Sequence, residues 1–183
     1  MIKVLFLLYI LVFNAHANSM GKDTSIPEIL PTNFSELQFK EVGKAKFSVL
    51  FWDIYNSSLY TKSGAYSHSK PSESLIFKIV YLKDITTEDL LERTIEQWQH
   101  LQVPVSQYSL YVPILKAMWP DISSGDSLTM LVDNNLSIFY LNHKKIGVIE
   151  QQEFSKLFLD IWLSPNTSQL ALRNKLLNGN IKE

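Results

Sequence analysis

The apolar positions change period along the chain, and the changes mark its elements. Glu36 to Thr61 reads as two or three strands. Within it, Phe47-Ser48-Val49-Leu50-Phe51-Trp52 is β-branched and aromatic. Gly43 and Lys44 break the pattern before this run, and Ile54-Tyr55 and Leu59-Tyr60 resume it afterwards. The polar Asn56-Ser57-Ser58 predicts a bulge or bend. Ser63 to Glu73 carries Gly64, Pro71 and several serines, which is loop chemistry. Leu75 to Leu82 is a strong strand. Leu75, Phe77, Ile79 and Tyr81 fall on one alternation, and Ile76, Val80 and Leu82 on the other. A half-solvated sheet would alternate apolar with polar. Both faces of this strand must therefore be covered, or one of them lines an apolar cleft.

The period then becomes helical. Thr86 is an N-cap, followed by acidic Glu88 and Asp89 where the helix dipole is positive. Ile85 and Leu90 have hydrophobic-staple spacing. Leu91, Ile95, Trp98 and Leu101 form the apolar stripe, and the helix ends before Pro104. A second helix is expected from Ser106 to Trp119, with Pro113 near its start or as a kink. Gly125-Asp126 turns into a strand over Ser127 to Val132, and Asp133-Asn134-Asn135 is a hairpin turn. Leu136 to Leu141 returns, Asn142-His143 turns again, and Lys145 to Ile149 is a short third strand. Phe154, Leu157, Phe158, Ile161 and Trp162 share a helical face that Pro165 ends. A last helix runs over Leu170 to Leu177, with Gly179 as its cap. Strands, helices, meander, helices is an α+β order with an antiparallel sheet, and nothing splits it into two domains.

The N-terminus stands outside this pattern. Lys3, ten apolar residues from Val4 to Phe13, and Ala15-His16-Ala17 make the three parts of a secretory signal peptide. Residues 1–17 are assigned to it, 18–33 to a polar leader lying along the surface, and 34–183 to the domain. No other apolar run approaches spanning length, so no integral membrane segment is expected after cleavage. The chain has no cysteine. That excludes disulfides and Cys-ligated metals, and in an exported protein it points to a bacterial periplasm. A net charge of −1 leaves no footprint for nucleic acid.

Little in the chain signals catalysis. His68, His100 and His143 are scattered, with no metal-ligand spacing, so a surface or capping role is assigned to each and no metal or other cofactor is expected. Nucleophile elbow, phosphate loop and dinucleotide motifs are absent from the sequence. Trp52, Trp98, Trp119 and Trp162 sit on apolar faces and read as core. Asp53, inside a strand-like apolar run, needs a partner if buried, for which Arg93 or Arg173 is available.

An ordered set of short stretches carries a family resemblance. It comprises Val42-Gly43, Leu50-Phe51-Trp52-Asp53-Ile54-Tyr55, Leu59-Tyr60, Trp119-Pro120-Asp121, Gly125-Asp126, Phe139-Tyr140-Leu141-Asn142 and Ile146-Gly147. Phe154, Phe158-Leu159-Asp160-Ile161-Trp162-Leu163-Ser164-Pro165 and Leu172-Arg173 complete it. From Val42 to Leu177 the chain resembles the bacterial chalcone isomerase-like family of exported proteins. The resemblance implies an open-faced β-sandwich, a long antiparallel sheet layered against helices, with a ligand cleft between them.

The resemblance also implies where a site would lie. The plant enzymes of this fold cyclise chalcones, using an arginine, threonine, tyrosine, asparagine and a small hydroxyl residue. Aligned on Tyr55, the threonine position falls near Leu50, and the arginine of many bacterial relatives, counted from Gly43, falls near Phe47. The tyrosine position falls near Leu90, the asparagine near Gln97 and the hydroxyl near Ile161. Four of these five are apolar and none matches, so no catalytic residue is assigned. Phe47, Leu50, Tyr55, Leu90, Gln97 and Ile161 become the candidate ligand-binding residues. Plant relatives that bind fatty acids hold the carboxylate with arginine and tyrosine, and here the arginine position is apolar.

The preferred reading is a non-catalytic protein binding an apolar or amphipathic small molecule, fatty-acid-like or aromatic. One alternative is an isomerase or lyase with a rewired site built on Gln97, Arg93 and Tyr55. The other is a periplasmic protein-interaction module, partnered by protein, with its cleft filled by side chains.

Overall fold

A computed structural model describes residues 26–68 and 73–177. The signal-peptide assignment and Gly179 fall outside the described residues. The sheet is six-stranded and antiparallel, in the order β1 to β6, with each strand paired to its sequence neighbours. The strands are β1 (Lys40–Val49), β2 (Trp52–Thr61), β3 (Leu75–Tyr81), β4 (Ser127–Asp133), β5 (Leu136–Leu141) and β6 (Lys144–Ile149). Between β3 and β4 the chain inserts α1 (Thr87–His100), α2 (Val105–Tyr108) and α3 (Tyr111–Met118). After β6 come α4 (Gln152–Leu163) and α5 (Leu170–Leu176). The architecture is α+β, as the order of periods requires.

Both faces of the sheet are covered. On one face, Leu59, Phe77, Ile79, Met130 and Phe139 pack with Leu91, Trp98, Leu115, Phe154, Phe158 and Leu176 from the helices. On the other, Ile76, Leu131, Ile138 and Tyr140 pack with Leu30, Phe34 and Phe39 from the segment before β1. The doubly apolar β3 is thus explained by two separate cores. The covering segment is attached by its backbone. Leu30 N–H bonds the His143 carbonyl at 2.8 Å, and Lys145 N–H bonds the Glu28 carbonyl at 3.0 Å. Residues 26–33 of the leader therefore lie along the sheet, yet Leu30 is only 1% exposed.

Several local expectations are corrected. The run Phe47 to Trp52 is not one strand, because a two-residue turn at Leu50-Phe51 folds it into the β1–β2 hairpin. Asn56-Ser57-Ser58 does not bend the chain. It pairs in register on both sides, and Ser57 donates to the Ala45 carbonyl at 3.2 Å. The irregularities lie instead in β1, at Glu41/Gly43 and Phe47/Ser48. The expected helix from Ser106 to Trp119 is two helices, broken at Ser109-Leu110. Pro113 has no N–H to give to Ser109, and its ring crowds that carbonyl. Asp53 is not buried against an arginine. It is half-exposed and paired with Lys46 at 2.7 Å and Ser48 at 2.7 Å. Trp52 is not core, at 61% exposed, whereas Trp98 and Trp119 are buried.

Candidate functional site

A cleft of about 660 Å³ opens between the β1–β2–β3 half of the sheet and helices α1 and α4. From the sheet it is lined by Phe47, Ile54, Tyr55, Ile79, Tyr81 and Leu128. From the helices come Leu90, Thr94, Phe158, Ile161 and Trp162, with Trp119 from the position that follows α3. The mouth carries Val49, Leu50, Trp52, Lys83, Asp84, Asp89, Arg93, Glu96, Gln97, Ser168 and Gln169. The helices bordering the cleft are fixed in place by their own contacts. Trp98 Nε1 donates to the Leu157 carbonyl at 3.0 Å, tying α1 to α4. Thr86 accepts from Asp89 N–H at the start of α1, and Asp121 accepts from Thr87 N–H at 2.8 Å. Ser168 donates to Gln97 Oε1 at 2.6 Å, bridging α1 to the loop after α4.

All six residues singled out from the sequence, Phe47, Leu50, Tyr55, Leu90, Gln97 and Ile161, line this one cleft. So does Arg93, the third polar member of the rewired-site reading. The cleft is open, which removes the version of the interaction-module reading in which side chains fill it. Residues the sequence reasoning did not assign include Tyr81, Trp119, Trp162 and Lys83. For Tyr81 the doubly apolar strand was a signal. For Lys83 none existed, because its place at the mouth depends on the hairpin opposite.

The chemistry of the interior is sparse. Trp162 Nε1 donates to Tyr55 Oη at 2.9 Å, and among the described residues no acceptor meets the Tyr55 hydroxyl proton. Burial pushes the Tyr55 phenol up to about 12, against the smaller opposing effect of the Trp162 bond. It is therefore protonated at neutral pH and is a donor, not a base. Burial also pushes Tyr81 upward, with Tyr55 adding to it. The charged groups stay at the mouth. Arg93 is paired with Glu96 at 2.7 Å, and Lys83 lies 4.0 Å from the centre of the Trp52 ring. The side chains of Leu50, Leu90 and Ile161 carry no hydrogen-bond donor. Among the described residues no three His, Asp or Glu side chains converge to hold a metal ion.

Away from the cleft, His68 Nδ1 lies 3.8 Å from Asp160 Oδ1. Burial holds the His68 imidazole below its usual pKa, against the pull of Asp160.

Comparison with known proteins agrees with this architecture. The chain is 25% identical over 149 residues to an uncharacterized protein of Haemophilus influenzae, covering 80% of this chain and 73% of that one. Among solved structures it is similar to a fatty-acid binding protein of Arabidopsis thaliana. That match has a TM-score of 0.63 and 9% identity, and covers 84% of this chain and 91% of the other. At that identity the match concerns the fold. A sequence profile described as chalcone isomerase-like matches residues 19–178. Taken with the six-stranded antiparallel sheet layered on helices, that match places the chain in the chalcone isomerase-like family.

Proposed function

We propose that the protein is a non-catalytic carrier of an apolar or amphipathic small molecule of fatty-acid type. The observation that carries this reading is the cleft itself. It has about 660 Å³ of space, aliphatic and aromatic walls, and an internal polar pair, Tyr55 and Trp162, that already bond each other. That volume is within the usual range for small-molecule sites. Burial of an acyl chain there would contribute about 25 cal/mol per Å². At the mouth Arg93 is paired with Glu96, and Asp84 and Asp89 lie beside it, so Lys83 against the Trp52 ring is the cation best placed for an acidic headgroup left near water. The fatty-acid binding protein of the same fold lends support by analogy only.

The rewired-isomerase reading has less behind it. A cyclase must stabilise a developing enolate with fixed donors. This cleft offers two protonated phenols, Tyr55 and Tyr81, the indole N–H of Trp119, and a glutamine already bonded to Ser168, with no charged donor in its interior. We also propose, from the pattern of Met1 to Ala17, that the protein is exported to the periplasm. Sequencing the N-terminus of the cell-purified protein tests this: a start at Asn18 supports it, and a retained Met1 overturns it.

The functional test is titration of delipidated protein with cis-parinaric acid, alongside native mass spectrometry and organic extraction of protein from its own host. Saturable one-to-one binding and a co-purifying lipid support the carrier reading. An empty protein that also fails to bind the probe overturns it.

A further inference from the structure

The β1–β2 hairpin ends in an apolar point that the described fold leaves uncovered. Val49, Leu50, Phe51 and Trp52 are consecutive, and they are 48%, 87%, 98% and 61% exposed. Single exposed apolar side chains are ordinary on a protein surface, but four in a row at a projecting turn mark an interaction site. Leu50 carries a backbone cost as well. Its φ of 55° lies in the left-handed region, which residues with a β-carbon avoid. The other two hairpins place Asn at such positions, with Asn134 at 48° and Asn142 at 46°, where a short polar side chain is tolerated. Folding alone would favour the same choice at position 50.

Two neighbours indicate what the point meets. Val49, Leu50 and Trp52 also line the mouth of the cleft, beside Lys83, so point and mouth are one surface. The Lys83 ammonium lies 4.0 Å from the centre of the Trp52 ring. A tryptophan with an adjacent lysine suits the boundary between acyl chains and headgroups, ring toward the apolar layer and amine toward the polar one. A convex two-residue point needs no matching pocket in a soft apolar phase, whereas a rigid receptor would have to supply one.

We propose that this hairpin tip docks on a lipid bilayer, with Leu50 and Phe51 inserted at the headgroup boundary, so that the cleft mouth exchanges its acyl-chain ligand directly with the membrane. Docking stands on the tip alone; ligand exchange rests on the carrier reading above. Charge contributes little, since Lys46 is paired with Asp53 at 2.7 Å and Asp84 follows Lys83. Docking therefore persists on zwitterionic lipid and in salt.

The test is co-sedimentation of the full chain with phosphatidylcholine vesicles, with and without phosphatidylglycerol, beside cis-parinaric acid binding in vesicle-free buffer. The wild type is expected to sediment with both vesicles. Phe51→Asp and Phe51→Ser, at a position outside the cleft lining, should each lower partitioning by about tenfold or more while binding the free fatty acid as the wild type does. Leu50→Asn should lower partitioning yet raise the melting temperature, a pairing that a purely structural leucine would not produce. A wild type that ignores both vesicles overturns the proposal. So do Phe51 variants that sediment normally, or sedimentation confined to anionic vesicles and abolished by salt. If tip-dependent sedimentation remains but the wild type binds no fatty acid, docking stands and the exchange step falls with the carrier reading.

Discussion

Trp162 on α4 donates its indole N–H to the phenol oxygen of Tyr55 on β2, 2.9 Å away, and both side chains line the cleft. The bond links the helix layer to the sheet at the place where the layers are otherwise separated by open space. Removing it should therefore affect stability and cleft geometry together. Tyr55→Phe leaves a half-buried indole donor without its acceptor, and should cost about 1–3 kcal/mol, read by urea unfolding.

The same tyrosine gives a pH dependence. Its folded pKa is raised from 10.0 to about 12 by burial. The unfolded chain therefore loses this proton first. The stability held by the neutral phenol is complete below pH 10 and is lost as pH rises toward 12. Tyr66 and Tyr81 are shifted upward by burial too. Alkaline unfolding followed by circular dichroism should coincide with the tyrosinate absorbance of these residues, and Tyr55→Phe should make the loss of stability with pH shallower.

Gly43 is required by a backbone, not by a turn. A β-carbon there would lie 2.5 Å from the carbonyl oxygens of Lys175 and Leu176, at the end of α5. Backbone cannot step aside as a side chain can. Gly43→Ala should cost about 1–3 kcal/mol or more. Gly147→Ala, which meets only the flexible Met118 side chain, should cost less. Thermal melts of the two variants compare them.

Arg173 is 6% exposed, and its Nε donates to the Leu163 carbonyl at 2.8 Å. Leu163 is the last residue of α4, so the cation also meets the negative end of that helix. Arg173→Met keeps much of the volume but leaves the carbonyl unpaired. A loss of about 1.5–3 kcal/mol is expected for a charged hydrogen bond, measured by chemical denaturation.

The cleft residues separate filling from charge. Leu90→Trp should fill part of the cleft that Leu90 lines and abolish cis-parinaric acid binding with little change in melting temperature. Lys83→Ala and Arg93→Ala act at the exposed mouth, where ion pairs are weak. Each should weaken a fatty acid by only about two- to fivefold and leave the corresponding long-chain alcohol unaffected. Calorimetric titration with both ligands checks this.

Much of the fold was legible because its signals are local. The Thr86 cap, the Asn134 and Asn142 turns, the stripe through Leu91 and Trp98, and the doubly apolar β3 each report the period or dihedral that the backbone adopts. The six residues reached by counting from Tyr55, Gly43 and the helix after Ile85-Thr86 lie around one cleft, because strand register and helix phase carry local spacing into space. Many of the other motif residues turned out to be structural. Gly43 makes room for α5, Asp121 caps α1, Asp126 bonds Asn142, and Arg173 bonds the end of α4.

What the sequence did not carry were relations between elements distant in the chain. Whether Phe47 to Trp52 ran straight or turned at Leu50 depended on the pairing of β1 with β2, since apolar residues suit a strand and a docking tip alike. Asp53 found Lys46 rather than an arginine because the hairpin brings those two together. The sequence by itself determined most of the elements and their order, which are properties of residue type and spacing. Only the tertiary structure decided that the cleft stays open, that Lys83 stands at its mouth and that the apolar tip continues from it. Those depend on how far apart the packed layers hold their side chains, which no local pattern records.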